Sequence, residues 1–186
     1  MRVPAPESLT TERLILRRWR ASDRAPFAAL NADPRVMRFL GRLHTRAESD
    51  ALADRIDADF NERGFGLWAV EAPSVAEFIG FVGLAVPRFA AHFTPCVEIG
   101  WRLAAAHQGR GFASEAARAA LDAGFEHNAL AEIVSLTTRE NRASRAVMER
   151  LGMQRDPRDD FEHPSLAPSD PLRPHVLYRI SSRDVP

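Results

Sequence analysis

The chain has 186 residues, enough for one domain with its own core, and its 25 basic and 25 acidic residues give a formal net charge of zero. That balance removes the electrostatic footprint of a protein whose main partner is nucleic acid or an anionic membrane. A single cysteine, Cys96, excludes an internal disulfide and a metal site built from cysteines. No apolar run approaches the ~20 residues of a membrane span, and the N-terminus lacks a signal-peptide core. These features predict a cytoplasmic protein with no nucleic-acid or membrane partner and no metal.

The first eight residues read as a loose tail. Residues 13–19, RLILRRW, suit a strand. Ser22 or Asp23 can cap a helix running to about Asn31, with Phe27 and Leu30 at helical spacing. Residues 33–41 read as a short helix with Pro34 in its first turn and Gly41 closing it. Thr45 and Glu48 have the spacing of a capping box, and the helix they open reaches Arg63, where Gly64 stops it. Leu52, Ile56 and Phe60 recur along it every four residues.

Three strands are expected next, at 66–72, 77–86 and 95–103. A glycine-rich segment then opens a helix to about His127. Ala113, Ala116, Ala117, Ala120 and Gly124 form a narrow face of small side chains, which lets that helix lie close on a sheet. Residues 132–138 read as a strand. Asn141 can cap a helix to Leu151, with Gly152 as its stop. Residues 153–156 suit a short strand, 157–174 a long loop, and 175–181 a final strand. The order predicts a mixed α/β (α+β) domain over residues 9–181, with tails at 1–8 and 182–186, about six to seven strands, and a parallel pair formed by 95–103 and 132–138.

The segment HQGRGFASEAARAALDAGF (107–125) places Gly109 and Gly111 directly before a helix. A helix start carries free N–H groups and partial positive charge, so small residues there admit an anion; a tight strand-to-helix turn uses the same residues. Arg110 is able to pair with a phosphate. A Walker A loop is excluded by the missing lysine. A dinucleotide fingerprint is excluded by Ser114 in the third glycine position and by Thr137 and Thr138 where the next strand would end in an acid.

Gln108-Gly109-Arg110-Gly111-Phe112-Ala113 resembles the Q/R-x-x-G-x-G/A phosphate loop of the GCN5-related N-acetyltransferases. EIGWRL (98–103) resembles the family's preceding strand. TRENRASRAVMERLGM (138–153) resembles its Asn-x-x-Ser segment and the Leu-Gly-Met close. Residues 11–41 resemble the entry of the branch that holds ribosomal-protein N-terminal alanine acetyltransferases. The likeness spans about residues 9 to 181.

That resemblance implies acetyl-CoA as co-substrate, an amine acceptor, a splayed pair of parallel strands as the cofactor cleft, and a homodimer. Trp101, Arg102 and Leu103 would offer main-chain groups to the pantetheine. Gln108, Gly109, Arg110, Gly111, Phe112, Ala113 and Ser114 would hold the diphosphate, and Asn141 would bind near the pantetheine. Glu98 is the candidate base, against a strand carboxylate that pairs with an arginine and orders the sheet. Ser144 is the candidate donor to the departing sulfur, against a residue that only completes a helix start.

Tyr178 shares an apolar strand face with Val176 and Ile180 and reads as core. Cys96, with no histidine partner in the sequence, reads as inert. His107 reads as a solvated turn residue, and Trp19 and Trp68 as core or pocket wall. In the long loop, either Asp159, Asp160 and Glu162 attract a cationic amine with His163 lining the site, or the segment is a solvated edge or a dimer contact. The expected function is acetyl transfer from acetyl-CoA to a primary amine by direct attack. The alternatives are a non-catalytic acyl-CoA sensor of the same fold and, more distantly, a nucleotide-binding oxidoreductase.

Overall fold

In the computed structural model, which describes residues 6–183, a nine-stranded mixed sheet runs in the order β1-β2-β3-β4-β5-β6-β9-β7, with β8 paired to β9. The strands are β1 (Ser8–Thr10), β2 (Ile15–Arg17), β3 (Leu67–Ala72), β4 (Ala76–Ala85), β5 (Glu98–Leu103), β6 (Glu132–Thr138), β7 (Gln154–Arg155), β8 (Phe161–Glu162) and β9 (Pro174–Ser181). The helices are α1 (Arg24–Asn31), α2 (Pro34–Met37), α3 (Arg46–Arg63), α4 (Phe112–Glu126) and α5 (Arg142–Arg150). β5 and β6 are the expected parallel pair, joined through α4.

Helix starts and stops follow local chemistry. Thr45 accepts from Glu48 N at 3.3 Å while Glu48 accepts from Thr45 N at 2.8 Å, closing the box that starts α3. Gly64 ends α3 in the left-handed conformation, φ 73°. The small face of α4 lies on the sheet: Ala116, Ala117 and Ala120 are fully buried. A Cβ on Gly124 would stand 2.8 Å from Leu84 Cδ1 and 2.9 Å from Ile133 Cδ1, so the approach depends on its missing side chain.

One sheet face is covered by α4 and α5 over a core that includes Leu84, Ile99, Leu103, Leu121, Met148 and Tyr178. On the other face, α1, α2 and α3 cover Phe81 together with Phe27, Leu30 and Ile56. Farther along that face, Phe89 and Phe93 from the β4–β5 connection cover Val134 and Leu177. β5 runs between these two lids.

Several expectations need correction. Ser8, expected in the tail, pairs with Arg17 in β1–β2; residues 1–5 and 184–186 of the expected tails lie outside the described residues. Asp23 does not cap α1 with its side chain. Its carboxylate accepts from Arg17 Nη1 at 2.8 Å and Nη2 at 2.9 Å, and a 3-10 turn (Ala21–Asp23) leads into the helix. The helix expected over 33–41 ends at Met37. The loop expected over 157–174 contains a 3-10 turn (Pro157–Asp159) and β8, both against β9.

Candidate functional site

β5 and β6 pair at one register position, Glu98 with Val134. Val134 N donates to Val97 O at 2.9 Å, and Ser135 Oγ donates to Ile99 O at 2.9 Å. Beyond that step no residue of β6 pairs with β5, so the two strands diverge toward their C-terminal ends. In open α/β sheets, ligands bind in the crevice at those ends.

Main-chain groups alternate sides along a strand. Those of Val97 and Ile99 point to β6, so those of Trp101 and Leu103 do too. Arg102 points its main chain the other way: its carbonyl oxygen is 2.1 Å from where a Cβ on Gly80 in β4 would stand. The Leu103 oxygen already accepts from Gln108 Nε2 at 2.9 Å. Of the three residues expected to offer main-chain groups to the cleft, Trp101 offers both, Leu103 its N–H, and Arg102 neither. This corrects the Arg102 assignment, because strand pleating turns alternate residues away.

The glycine loop continues from β5 through a 3-10 turn (Ala105–His107) into α4. Gly109 and Gly111 sit at φ 72° and 83°, a left-handed backbone that other residues rarely adopt. As a result the N–H groups of Gly109, Arg110, Gly111, Phe112, Ala113 and Ser114 all lack an acceptor among the described residues, and the first helical bond is Glu115 N to Gly111 O at 3.1 Å. Such a run of free donors at a helix start suits an anion. Arg13 braces the loop from behind, donating to Arg110 O at 3.1 Å and forming an ion pair with Glu115 at 2.6 Å. Arg13 and Arg110 both lie 4.8 Å from the centre of the Phe112 ring. Gln108 uses its side chain on Leu103, so it shapes the loop while its amide nitrogen is occupied. His107 is half-buried rather than solvated, with Nδ1 sealed off and unpartnered; burial and the Arg110 charge lower its pKa.

Across the divergence, Asn141 caps α5. Its Oδ1 accepts from Ser144 N at 3.2 Å and its Nδ2 donates to Thr137 Oγ1 at 3.0 Å. Ser144 Oγ has no hydrogen-bond partner among the described residues, so the hydroxyl is free although the residue completes a helix start.

Glu98, Gly100 and Arg102 project from β5 on the face opposite α4. The Glu98 carboxylate makes no hydrogen bond or ion pair among the described residues, which removes the arginine-paired reading. Burial pushes its carboxyl up to about 7. Cys96, on the same face, is pushed up to about 11, first by burial and then by the Glu98 charge, so its thiol stays protonated. Tyr178 is buried as expected, with its hydroxyl donating to Glu149 at 3.0 Å and accepting from Arg145 Nε at 3.3 Å. Trp68 is core, at 0% exposure. Trp19 is part-buried, bonded to Leu67 O at 2.7 Å and set edge-on to Phe27.

The acidic residues of the 157–174 segment already have cations. Asp159 pairs with Arg179 at 2.8 Å, Asp160 with Arg155 at 2.6 Å, and Glu162 with Arg173 at 3.0 Å. Asp159 ties the segment to β9, Asp160 ties it to β7, and Glu162 closes it on itself, so the expected recruitment of a cationic amine has little unpaired charge to use. His163 lies against Phe89 and His175, at 4.5 and 4.9 Å between ring centres. From the same segment, Pro171 and Leu172 reach an open cavity of about 610 Å³ shared with Arg38, Phe39, Glu140, Arg142 and Ala143 at the start of α5. Sequence reasoning did not find those residues, because the cavity joins three distant parts of the chain.

Comparison with known proteins agrees with this geometry. The family model described as an acetyltransferase (GNAT) domain matches residues 13–154. The uncharacterized protein YkkB of Bacillus subtilis is 36% identical over 152 residues, covering 80% of this chain and 86% of that protein. An acetyltransferase from Agrobacterium tumefaciens superposes with a TM-score of 0.76 at 32% identity, covering 94% of both chains. Mycobacterium smegmatis RimJ, solved with CoA-disulfide, shares the fold at a TM-score of 0.75 and 22% identity, covering 100% of this chain and 87% of its own.

Proposed function

We propose, for a chain that belongs to the GNAT acetyltransferase family, that the diverging β5–β6 pair and the loop before α4 form the acetyl-CoA cleft and that β5 presents Glu98 to the acceptor. The observation that carries this reading is the run of six N–H groups from Gly109 to Ser114 with no partner among the described residues, next to the point where β5 and β6 part. The chain is an acetyl-CoA-dependent N-acetyltransferase, and the residue roles that follow are the proposal.

The donors of residues 109–114 receive the diphosphate, and Gln108 holds the loop to Leu103. Trp101 N–H and C=O, with Leu103 N–H, pair with the pantetheine amides in place of the missing β6 partner. Asn141 keeps one amide hydrogen for the cofactor while it fixes the start of α5. Acetyl-CoA supplies the activated acetyl group as a thioester.

Attack requires a neutral amine. Glu98, unpaired and with its carboxyl near 7, accepts the amine proton directly or through a water. The Ser144 hydroxyl donates a hydrogen bond to the departing sulfur. Holding amine and thioester together across the sheet supplies a large share of the rate. Together these steps amount to direct attack with both substrates bound.

The test is thiol release from acetyl-CoA against a panel of primary amines, paired with calorimetry of acetyl-CoA binding. Tight binding with no release from any acceptor would overturn the catalytic roles. A homodimer and a cytoplasmic location belong to the same reading; light scattering on the purified chain checks the first. Among the described residues no helix is long and apolar enough to cross a membrane.

A further inference from the structure

Two arginines are drawn into the fold, Arg17 buried and Arg102 part-buried, and their surroundings differ. Arg17 is met by Asp23 and Glu71, both at 2.8 Å. Arg102 has no carboxylate within ion-pair distance among the described residues. Its Nη1 donates to Asn31 Oδ1 at 2.5 Å, and Asn31 is neutral, with its own amide committed to Ser49 Oγ at 3.1 Å. The guanidinium lies 5.3 Å from the centre of the Phe81 ring. Nε is sealed from solvent without a partner, while Nη2 is unpartnered but not sealed. Burial lowers the Arg102 pKa to about 10, still fully charged at neutral pH. Nearby His44 is held below its ordinary pKa, first by burial and then by the Arg102 charge, and supplies no counter-charge.

A buried cation without an anion is costly, and a guanidinium fork matches a carboxylate. Glu98 lies four residues away on the same strand face, about 13 Å between Cα atoms. Between them sits Gly100, and a Cβ there would meet nothing within 4 Å. The open face therefore runs from the candidate base to the uncompensated cation. The phosphates of the cofactor do not belong here, because the 109–114 loop leads into α4 on the opposite face.

We infer that Arg102 receives a carboxylate carried by the acceptor, so that the acceptor is a small amine with a carboxylate a few bonds from its nitrogen. This rests on the transferase reading, but its test does not require turnover. Amino acids, their amides and phosphoethanolamine are titrated into the protein complexed with desulfo-CoA, which cannot transfer an acetyl group. At least one acid should bind about tenfold more tightly than its amide, as expected for a charge-assisted bond. Arg102→Met should erase that preference with desulfo-CoA affinity unchanged, and Arg102→Lys should retain part of it. Equal binding of every acid and its amide overturns the inference from the wild type alone, even where Arg102→Met does not fold. Tighter binding of phosphoethanolamine than of any amino acid overturns the carboxylate assignment. Failure of the transferase reading itself would instead appear as absent thiol release with all acceptors.

Discussion

Ser135 Oγ donates to Ile99 O at 2.9 Å, one residue past the single register pair of β5 and β6. A side chain thus occupies the place of the next ladder bond and marks where the cleft begins. Ser135 is 2% exposed, so Ser135→Ala leaves a buried carbonyl unpaired. The expected loss is about 1–3 kcal/mol in urea unfolding. An unchanged midpoint would mean that the strands separate without this bond.

Glu98→Gln should lower kcat by about a hundredfold or more, the usual scale of general base catalysis, and remove the inflection near pH 7 from the rate profile. The same substitution has an opposite effect on stability. The folded carboxyl holds its proton up to about 7 against an ordinary 4.5, so ionisation costs stability as pH rises through that window, and the cost is complete above it. Glu98→Gln should therefore raise the melting temperature at pH 8 and leave it unchanged at pH 4. A lower melting temperature at pH 8 would show that the carboxylate stabilises the fold.

Gly111→Val meets two obstacles. The backbone there is left-handed at φ 83°, and a Cβ would approach Arg13 Nη2 at 3.3 Å. Acetyl-CoA affinity should be lost, as judged by calorimetry, and stability should fall by about 1–2 kcal/mol from strain. Retained affinity would remove the loop from the cofactor site.

Ser144→Ala removes a hydroxyl with no partner among the described residues while keeping the bond from its backbone N–H to Asn141. Thermal stability should be unchanged and kcat about tenfold lower, on the scale of one lost hydrogen bond. Asn141→Ala should instead cost about 1 kcal/mol of stability, the value of a lost cap. If Ser144→Ala retains full kcat, the sulfur-directed role is excluded.

Asp159→Asn with Asp160→Asn should leave the acceptor KM unaltered and lower the melting temperature, because both carboxylates are held by arginines. Each half-exposed pair is worth up to about 1 kcal/mol. A raised KM with an unaltered melting temperature would restore them to the acceptor site.

Much of this architecture was legible because it is local. The Thr45–Glu48 box, the glycine ends and the alanine face of α4 are short-range patterns whose physics needs no partner, and the βαβ order forces β5 and β6 parallel. β1 and β8 were not legible. Strands of three and two residues carry no periodicity and exist because an edge of the sheet accepts them. Asp23 had the spacing of a cap, but Arg17, six positions earlier in β2, claimed its carboxylate. Asp159 and Asp160 looked available until Arg179, twenty positions away, and Arg155 were brought beside them. Glu98 was legible as a candidate by its place in EIGWRL. Its isolation from every arginine was not, and neither was the absence of a carboxylate beside Arg102, since both depend on what the fold leaves out.

Gly100 gives the proposed acceptor face a graduated scale. With open space above its Cα and fixed groups on either side, any side chain placed there would fill part of the space that a bound molecule must cross. Alanine, valine and leucine at this position form an ordered series, each excluding progressively bulkier acceptors. The flanking strand does not share this tolerance: a Cβ on Gly80 or Gly83 would lie within 2.2 Å of a backbone oxygen, so selectivity can be retuned on β5 while β4 stays fixed as the reference edge.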